Sequence, residues 1–179
     1  METTYILTAE MDGESFAWLD SLRREHFSPE RNFLSAHLTL FHRLSAAQVA
    51  QLRSLEIPRG PVMLHFDRVA LLGFGVSLHV QSAELERLRN ELRVGMGGEF
   101  SRQDSQSWKP HVTVQNKVPF ERARELHGLL QEGFRDRAGA PTGLLICDTS
   151  AVRGSSRSAW FSAVCNDRGT VHGTDSGRL

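Results

Sequence analysis

Two short segments of the sequence carry the same pattern, a histidine followed two positions later by a threonine. The segments HLTLFH and HVTVQN begin at His37 and His111. Because side chains alternate between the two faces of a strand, His37 shares a face with Thr39, and His111 shares a face with Thr113. Each segment therefore presents an imidazole and a hydroxyl from one strand, while its intervening apolar residues are predicted to face a core.

Two such pairs facing each other would suit displacement at phosphorus. A base must take a proton from the attacking hydroxyl or water, and an acid must give a proton to the leaving oxygen. Two histidines that titrate near neutrality can divide these roles. The threonine hydroxyls can donate hydrogen bonds to the non-bridging phosphate oxygens and so stabilise the transition state. The scheme needs neither a metal ion nor a cofactor, and none is predicted.

Strict alternation also predicts two further substrate-binding residues beside the two threonines. Phe41 falls on the face of the first histidine, where its ring could stack on a base. Gln115 falls on the face of the second histidine. The substrate-binding set predicted from the sequence is therefore Thr39, Thr113, Phe41 and Gln115. The base that is bound, and the division of acid and base between the histidines, stay open at this point.

The same order of elements follows each histidine segment. After the first come a helix capped by Ser45 and a hairpin that turns at Gly73-Phe74-Gly75. After the second come a helix that opens at Pro119 and a second candidate hairpin, formed by TGLLICDTSAVRG and SAWFSAV. The separation of the two histidines is too long for a solenoid repeat, so the pattern indicates a duplicated lobe.

The predicted fold class is α+β. Two duplicated lobes, each a βα unit plus a hairpin, are expected to place antiparallel sheets around a central cleft, with the helices outside. Residues 1–165 are predicted to form this single bilobal domain. Residues 166–179 contain little apolar sequence and are predicted to be a flexible tail.

The composition limits the partners and the cellular location that can be expected for the protein. The chain has 179 residues, equal numbers of basic and acidic side chains, and a formal net charge of zero. The chain has no net positive charge that would attract a long nucleic acid. A polyanionic ligand would therefore be small or bound by a local group of side chains. The segment METTYILTAEMDGES lacks the features of a secretory signal, and no apolar run would span a bilayer. We therefore expect a cytoplasmic protein with no membrane partner, and a monomer by default.

The paired segments HLTL and HVTV resemble the His-x-Thr/Ser-x motifs of the two-histidine (2H) phosphoesterase superfamily, which includes RNA 2′,5′-ligase and 2′,3′-cyclic phosphodiesterase-like proteins. The neighbourhood WKPHVTVQNKV is similar to that of the second motif in bacterial members. The resemblance spans most of the chain, from Tyr5 to Phe161. It implies metal-independent hydrolysis or transesterification of 2′,3′-cyclic or 2′,5′ phosphodiesters, on a nucleotide or a short RNA end. It also implies His37 and His111 as the catalytic pair and Thr39 and Thr113 as phosphate-binding residues.

Two other functions are kept as alternatives. The chain departs from many ligase-like members at residues 115–117, where they carry an arginine after the second motif. A module that binds RNA ends or nucleotides with little turnover is therefore one alternative. An interaction protein whose duplication is only architectural is the other. Four basic side chains are weaker candidates for phosphate contact: Lys109, Lys117, Arg153 and Arg157.

Overall fold

The computed structural model describes residues 3–32, 34–57, 60–149, 160–165 and 171–175, the last two ranges in backbone only. In chain order the elements are β1 (Tyr5–Met11), α1 (Gly13–His26), a 3-10 turn (Pro29–Arg31), β2 (Leu38–Leu44), α2 (Ala46–Ser54), β3 (Leu64–Leu71), β4 (Gly75–Gln81), α3 (Ala83–Met96), α4 (Arg102–Ser105), β5 (His111–Asn116), α5 (Phe120–Gly133), β6 (Arg137–Gly139), β7 (Pro141–Asp148), β8 (Trp160–Cys165) and β9 (Val171–Asp175). No helix in these ranges is long and apolar enough to cross a membrane.

The strands form one antiparallel sheet in the order β6-β3-β4-β5-β2-β1-β7-β8-β9. The two histidine strands, β2 and β5, are neighbours at its centre, where the paired position is Leu38 with Val112. Outward from this junction, β5-β4-β3 on one side corresponds to β2-β1-β7 on the other. The predicted α+β class and the duplication are confirmed. The two halves are nevertheless parts of one sheet, because β2 and β5 join them.

The helices pack on the face of the sheet that carries the apolar side chains. Helix α1 lies against β5, and α5 lies against β3 and β4, while α2 packs on α3 and α4 lies against β2. Trp18 of α1 meets Phe66 of β3 edge to face, with ring centroids 5.4 Å apart. Full burial of one such large apolar side chain contributes about 1.5–3 kcal/mol. Helix α1 follows β1 in the chain but covers the other half of the sheet, which ties the two halves together.

Local sequence signals account for where the elements start and turn. Ser45 caps α2, and its side chain and that of Gln48 form a reciprocal capping box. The β3–β4 hairpin turns at Gly73, whose φ of +75° is the left-handed conformation that glycine adopts without strain. Both features agree with the interpretation of the sequence.

Only part of the second hairpin and of the tail lies within the described residues. Strand β8 pairs with β7, as predicted, but Arg153 and Arg157 lie outside the described residues. Within the predicted flexible tail, Val171–Asp175 forms β9 alongside β8. The flexibility of residues 166–179 stays a prediction. The short elements α4 and β6 were not predicted.

Candidate active site

The two histidines of the repeated motif are held in the same way. His37 directly precedes β2, and its Nδ1 lies 2.7 Å from the carbonyl oxygen of Ser35. His111 is the first residue of β5, and its Nδ1 lies 2.7 Å from the carbonyl oxygen of Lys109. A carbonyl can only accept, so Nδ1 donates in both rings. In the neutral form each ring therefore keeps its Nε2 lone pair for chemistry.

The central strand junction brings the two motifs together. Because β2 and β5 are antiparallel and Leu38 pairs with Val112, the chain order places His37 alongside Thr113 and Thr39 alongside His111. All four polar side chains are half-buried. An approximate two-fold axis through the junction relates one motif to the other. We call the face of the sheet that carries these four side chains the cleft face.

A β-bulge in β2 moves Phe41 away from the cleft face. Thr8 of β1 pairs with Thr39, but the preceding residue, Leu7, pairs with Phe41, so Leu40 is an extra residue in β2. Paired residues of an antiparallel ladder point to the same face. Phe41 therefore shares the face of Leu7, which is fully buried in the core, and not that of Thr39.

The same bulge recurs in β5 and moves Gln115. Ser77 of β4 pairs with Thr113, and the preceding residue, Val76, pairs with Gln115, so Val114 is the extra residue. Gln115 is 8 % exposed, and its Oε1 has no hydrogen-bond partner among the described residues. Its side chain shares the face of the buried Val76 and not the cleft face.

Phe41 and Gln115 therefore do not occupy the positions that strict alternation gives them. The ring of Phe41 is fully buried, 5.4 Å from the ring of Phe100 and 4.6 Å from the guanidinium carbon of Arg89. No face of the ring is open for a base to stack on. The prediction that Phe41 and Gln115 lie beside the two histidines is corrected, because each strand gains one residue just before them.

Side chains from the other half of the molecule hold both threonine positions. Trp108, which lies just before β5, donates from Nε1 to the carbonyl oxygen of Thr39 over 3.0 Å. Arg23 of α1 donates from Nη1 to the carbonyl oxygen of Thr113 over 2.8 Å and from Nε to that of Leu34 over 2.8 Å. Burial lowers the pKa of Arg23 to about 10, so it stays charged at neutral pH. These contacts satisfy carbonyls that the short β2–β5 ladder leaves unpaired.

Burial and neighbouring charges act on the first histidine. Burial lowers the pKa of His37 to about 4, and the charges of Arg23, His42 and His111 act in the same direction, although the bond to Ser35 opposes them. Desolvation and nearby positive charge both disfavour the imidazolium. His37 is therefore neutral at pH 7, with Nε2 free to accept a proton.

Beyond each histidine, the two halves of the cleft face differ. His79 of β4 is paired with His111, and its Nδ1 lies 2.6 Å from the Oδ1 of Asp67. Burial opposes the charge of Asp67, but the hydrogen bond and charge of His79 prevail, and the pKa of Asp67 is lowered. The corresponding residue of β1 is Glu10, which follows the Ala9–Leu38 pair. A histidine–aspartate pair thus lies beside one catalytic candidate and a carboxylate beside the other.

The sequence reasoning missed an anchor at the end of β2. Asp104 of α4 accepts hydrogen bonds from the backbone N–H groups of His42 and Arg43 at 2.8 and 3.0 Å, and its Oδ1 lies 3.1 Å from Nδ1 of His42. Ser101 caps this helix by accepting from the backbone N–H of Asp104. The spacing Ser101-x-x-Asp104 is a helix N-terminus signature, and it was the available signal.

Comparison with known proteins gives one matching family and several solved structures with a similar fold. The sequence model of the 2'-5' RNA ligase superfamily matches residues 11–144. The crystal structure of E. coli LigT complexed with 3'-AMP is similar over 90 % of this chain and 95 % of that one, with a TM-score of 0.55 and 19 % identity. A structure described as a phosphoesterase covers 90 % and 98 %, with a TM-score of 0.54 and 20 % identity. Among curated proteins, no sequence matches the chain.

The match covers most of the chain and includes both histidine motifs. The chain belongs to the 2'-5' RNA ligase superfamily, and its fold is that of the two-histidine phosphoesterases. The resemblance stated from HLTL and HVTV is thereby confirmed. At this identity the structural similarity establishes the fold, whereas the roles of individual residues rest on their geometry.

Proposed function

We propose that the protein is a metal-independent phosphoesterase that hydrolyses or transesterifies 2′,3′-cyclic or 2′,5′ phosphodiester bonds of nucleotides or short RNA ends. The observation that carries this proposal is the matched pair of imidazoles, His37 and His111. Each has its Nδ1 bonded to a backbone carbonyl two residues earlier, and each lies alongside a threonine of the opposite strand. A reaction that needs one base and one acid on opposite sides of a phosphate fits this arrangement.

The two histidines divide the proton transfers as follows. Neutral His37 accepts a proton at Nε2 from water, whose oxygen attacks phosphorus. As the bond from phosphorus to the ribose oxygen breaks, protonated His111 gives its Nε2 proton to that oxygen. A 2′,3′-cyclic phosphate thereby becomes a phosphate monoester with one free hydroxyl. Exchange with solvent returns both rings to their starting states, and a ribose hydroxyl in place of water gives transesterification.

The threonines and the charges around them stabilise the phosphate. The hydroxyls of Thr39 and Thr113 donate to its non-bridging oxygens, where negative charge grows in the transition state. Backbone contacts from Trp108 and Arg23 fix these two positions. The buried charge of Arg23, which already acts on His37, adds a positive field near the anion.

A nucleotide partner is supported by the related structures. E. coli LigT is known in complexes with 3'-AMP and with phosphate, and the latter matches this chain with a TM-score of 0.50. A 3′-nucleotide combines the phosphate and ribose groups that the proposed reaction requires.

The proposal is tested with a panel of substrates. The purified chain is incubated in EDTA with 2′,3′-cyclic nucleotides, 2′,5′-linked dinucleotides and 3′,5′-linked dinucleotides, and the products are separated by chromatography. We expect turnover of at least one of the first two classes and none of the third. Tight nucleotide binding without turnover of any substrate would instead support a binding module.

The lowered pKa of His37 predicts an unusual pH profile. The base must be neutral, and with a pKa of about 4 it stays neutral well below the ordinary value of 6.5. The acid limb of kcat/KM should therefore fall near pH 4, whereas an unshifted histidine would give a limb near 6.5. Initial rates measured from about pH 3.5 to about pH 9 test this. An acid limb close to 6.5 would contradict the assignment of His37 as base.

Unfolding must be separated from titration in that experiment. Since the pKa of His37 is lower in the folded chain than in the unfolded chain, the unfolded state binds more protons between about pH 6.5 and about pH 4. The folded state therefore loses stability as the pH falls through this window. Circular dichroism at each pH shows whether the chain is still folded where the rate declines.

A further inference from the structure

A cavity of about 330 Å³ opens directly beside His37. Its walls come from the end of β1, the start of α1 and the segment just before β2, and they include Glu10, Met11, Phe16 and Ala36. The lining is mostly apolar with few polar groups, which is the usual composition of small-molecule sites. The catalytic candidate and the cavity therefore share one edge of the cleft.

Two polar side chains of β1 line this cavity. Thr8 and Glu10 are two positions apart on the strand, so both lie on the cleft face. Thr8 is 2 % exposed, and its Oγ1 has no hydrogen-bond partner among the described residues. A buried hydroxyl without a partner is costly, so it is available to a polar ligand group. Ser77, which pairs with Thr113 as Thr8 pairs with Thr39, is buried and without a partner in the same way, so this feature belongs to both halves of the cleft. Glu10 adds a carboxylate, which at neutral pH can only accept hydrogen bonds.

An aromatic ring completes the wall on the α1 side. Phe16 is 37 % exposed although it is large and apolar, and it lines the cavity. An exposed ring at the edge of an apolar cavity offers a stacking surface for a planar ligand, and stacking does not depend on which base is bound.

The corresponding region beside His111 is built differently. The residue that corresponds to Glu10 is His79, whose Nδ1 is bound to Asp67 over 2.6 Å. That histidine and its carboxylate partner satisfy each other. Glu10 by contrast lines an open cavity, so the two halves differ in this position and not in the buried hydroxyl.

We propose that this cavity binds the nucleobase of the substrate and that Glu10 makes it selective for guanine. The inference rests on the proposed function, which it deepens by naming the base. Guanine presents two adjacent donors, N1–H and the N2 amino group, and a carboxylate can accept from both at once. Adenine and cytosine present one amino donor next to an acceptor nitrogen, and uracil presents one N–H between two carbonyl oxygens. Each of these three bases would place an acceptor atom opposite the carboxylate. Two facing acceptors cannot form a hydrogen bond, so a site that accepts hydrogen bonds discriminates against these bases.

Binding of unreactive products tests the assignment without relying on turnover. Affinities for the 3′-monophosphates of guanosine, adenosine, cytidine and uridine are measured by calorimetry on the full chain. We expect guanosine 3′-monophosphate to bind at least about fivefold more tightly than the uridine compound, the lower end for a bidentate base contact. Glu10→Gln should reduce this preference to about twofold or less, because an amide presents one donor and one acceptor. Glu132→Gln, on the exposed side of α5, is the matched control and should change no affinity.

A second variant distinguishes the contribution of stacking from selectivity among the bases. Phe16→Ala should weaken all four nucleotides by a similar factor, whereas Phe120→Ala, at an exposed position of α5, should weaken none. Equal binding of the four nucleotides to the wild type, or no binding of any, would overturn the proposal. An equal loss for all four in Glu10→Gln would also overturn it, since that result assigns Glu10 to the phosphate or to His37. Turnover of cyclic substrates, measured separately, decides the proposed function independently of these results.

Discussion

Replacing either His37 or His111 by alanine is expected to lower kcat for cyclic-phosphate hydrolysis by a factor of about 10² to 10⁴. In the proposed mechanism each ring supplies a different proton transfer, so neither can substitute for the other. The double variant should be little worse than the single variants, because the proposed mechanism uses the two groups in one concerted step. Initial rates at saturating substrate, measured for the three variants and the wild type, check this expectation.

The fold should survive these changes. Both imidazoles are half-buried, and each makes one side-chain hydrogen bond to a backbone carbonyl, so removal should lower the free energy of unfolding by about 1 kcal/mol. His127→Ala is the matched control, since it deletes an imidazole from α5, away from the strand junction. A rate for His37→Ala or His111→Ala within about threefold of this control would contradict the catalytic assignment.

Removing the two hydroxyls is the second large effect that we expect. Thr39→Val and Thr113→Val keep the shape and the strand preference of the side chain but delete the proposed donor to phosphate. Loss of one such donor typically lowers kcat by a factor of about 10² to 10³, and we expect a smaller change in KM because the bond strengthens in the transition state. Steady-state kinetics of the two single variants separate the two parameters.

A threonine outside the cleft provides the control. Thr149 donates from Oγ1 to the carbonyl oxygen of Thr4 over 2.8 Å, near the end of β1 opposite the cavity. Thr149→Val should lower stability and leave kcat unchanged. If the cleft variants behave in the same way, with normal kcat and a lower melting temperature, their hydroxyls are structural and the proposed phosphate contact is wrong.

The sequence predicted much of this fold because its local signals agree with the final structure. Ser45 and Gln48 mark the start of α2, the turn at Gly73 marks the first hairpin, and the repeated motif marks both central strands. Each signal depends on neighbouring residues in the chain. The catalytic candidates could be selected for the same reason, since His37 and His111 each carry their threonine two positions away.

The bulges could not be predicted in this way. Period-two alternation assigns Phe41 to the face of Thr39, but the extra residue in β2 depends on how β1 pairs with it. The contacts of Arg23 with Thr113, and of Trp108 with Thr39, likewise join segments that are far apart in the sequence. Such contacts arise from tertiary packing, and periodicity carries no information about them.

The position of Glu10 beside a cavity could not be predicted from the sequence either. Glu10 is a single acidic residue in a strand of mixed polarity and belongs to no recognisable motif. Its position beside His37 follows from the register of β1 on β2. The lowered pKa of His37 likewise arises from burial and from the nearby charges of Arg23, His42 and His111, which depend on tertiary packing. The sequence repeat predicts a symmetric site, whereas in the structure the corresponding positions hold Glu10 on one side and His79 on the other.

The most direct test of the central claim, that His37 is the base and His111 the acid, is the dependence of the two alanine variants on the leaving group. Hydrolysis of a 2′,3′-cyclic nucleotide is compared with hydrolysis of a nucleoside p-nitrophenyl phosphodiester, whose leaving group needs no proton. If His37 is the base and His111 the acid, the activated substrate should restore His111→Ala to within about tenfold of the wild type, while His37→Ala stays deficient on both substrates. Restoration of His37→Ala alone, or equal deficiency of the two variants on both substrates, would contradict it.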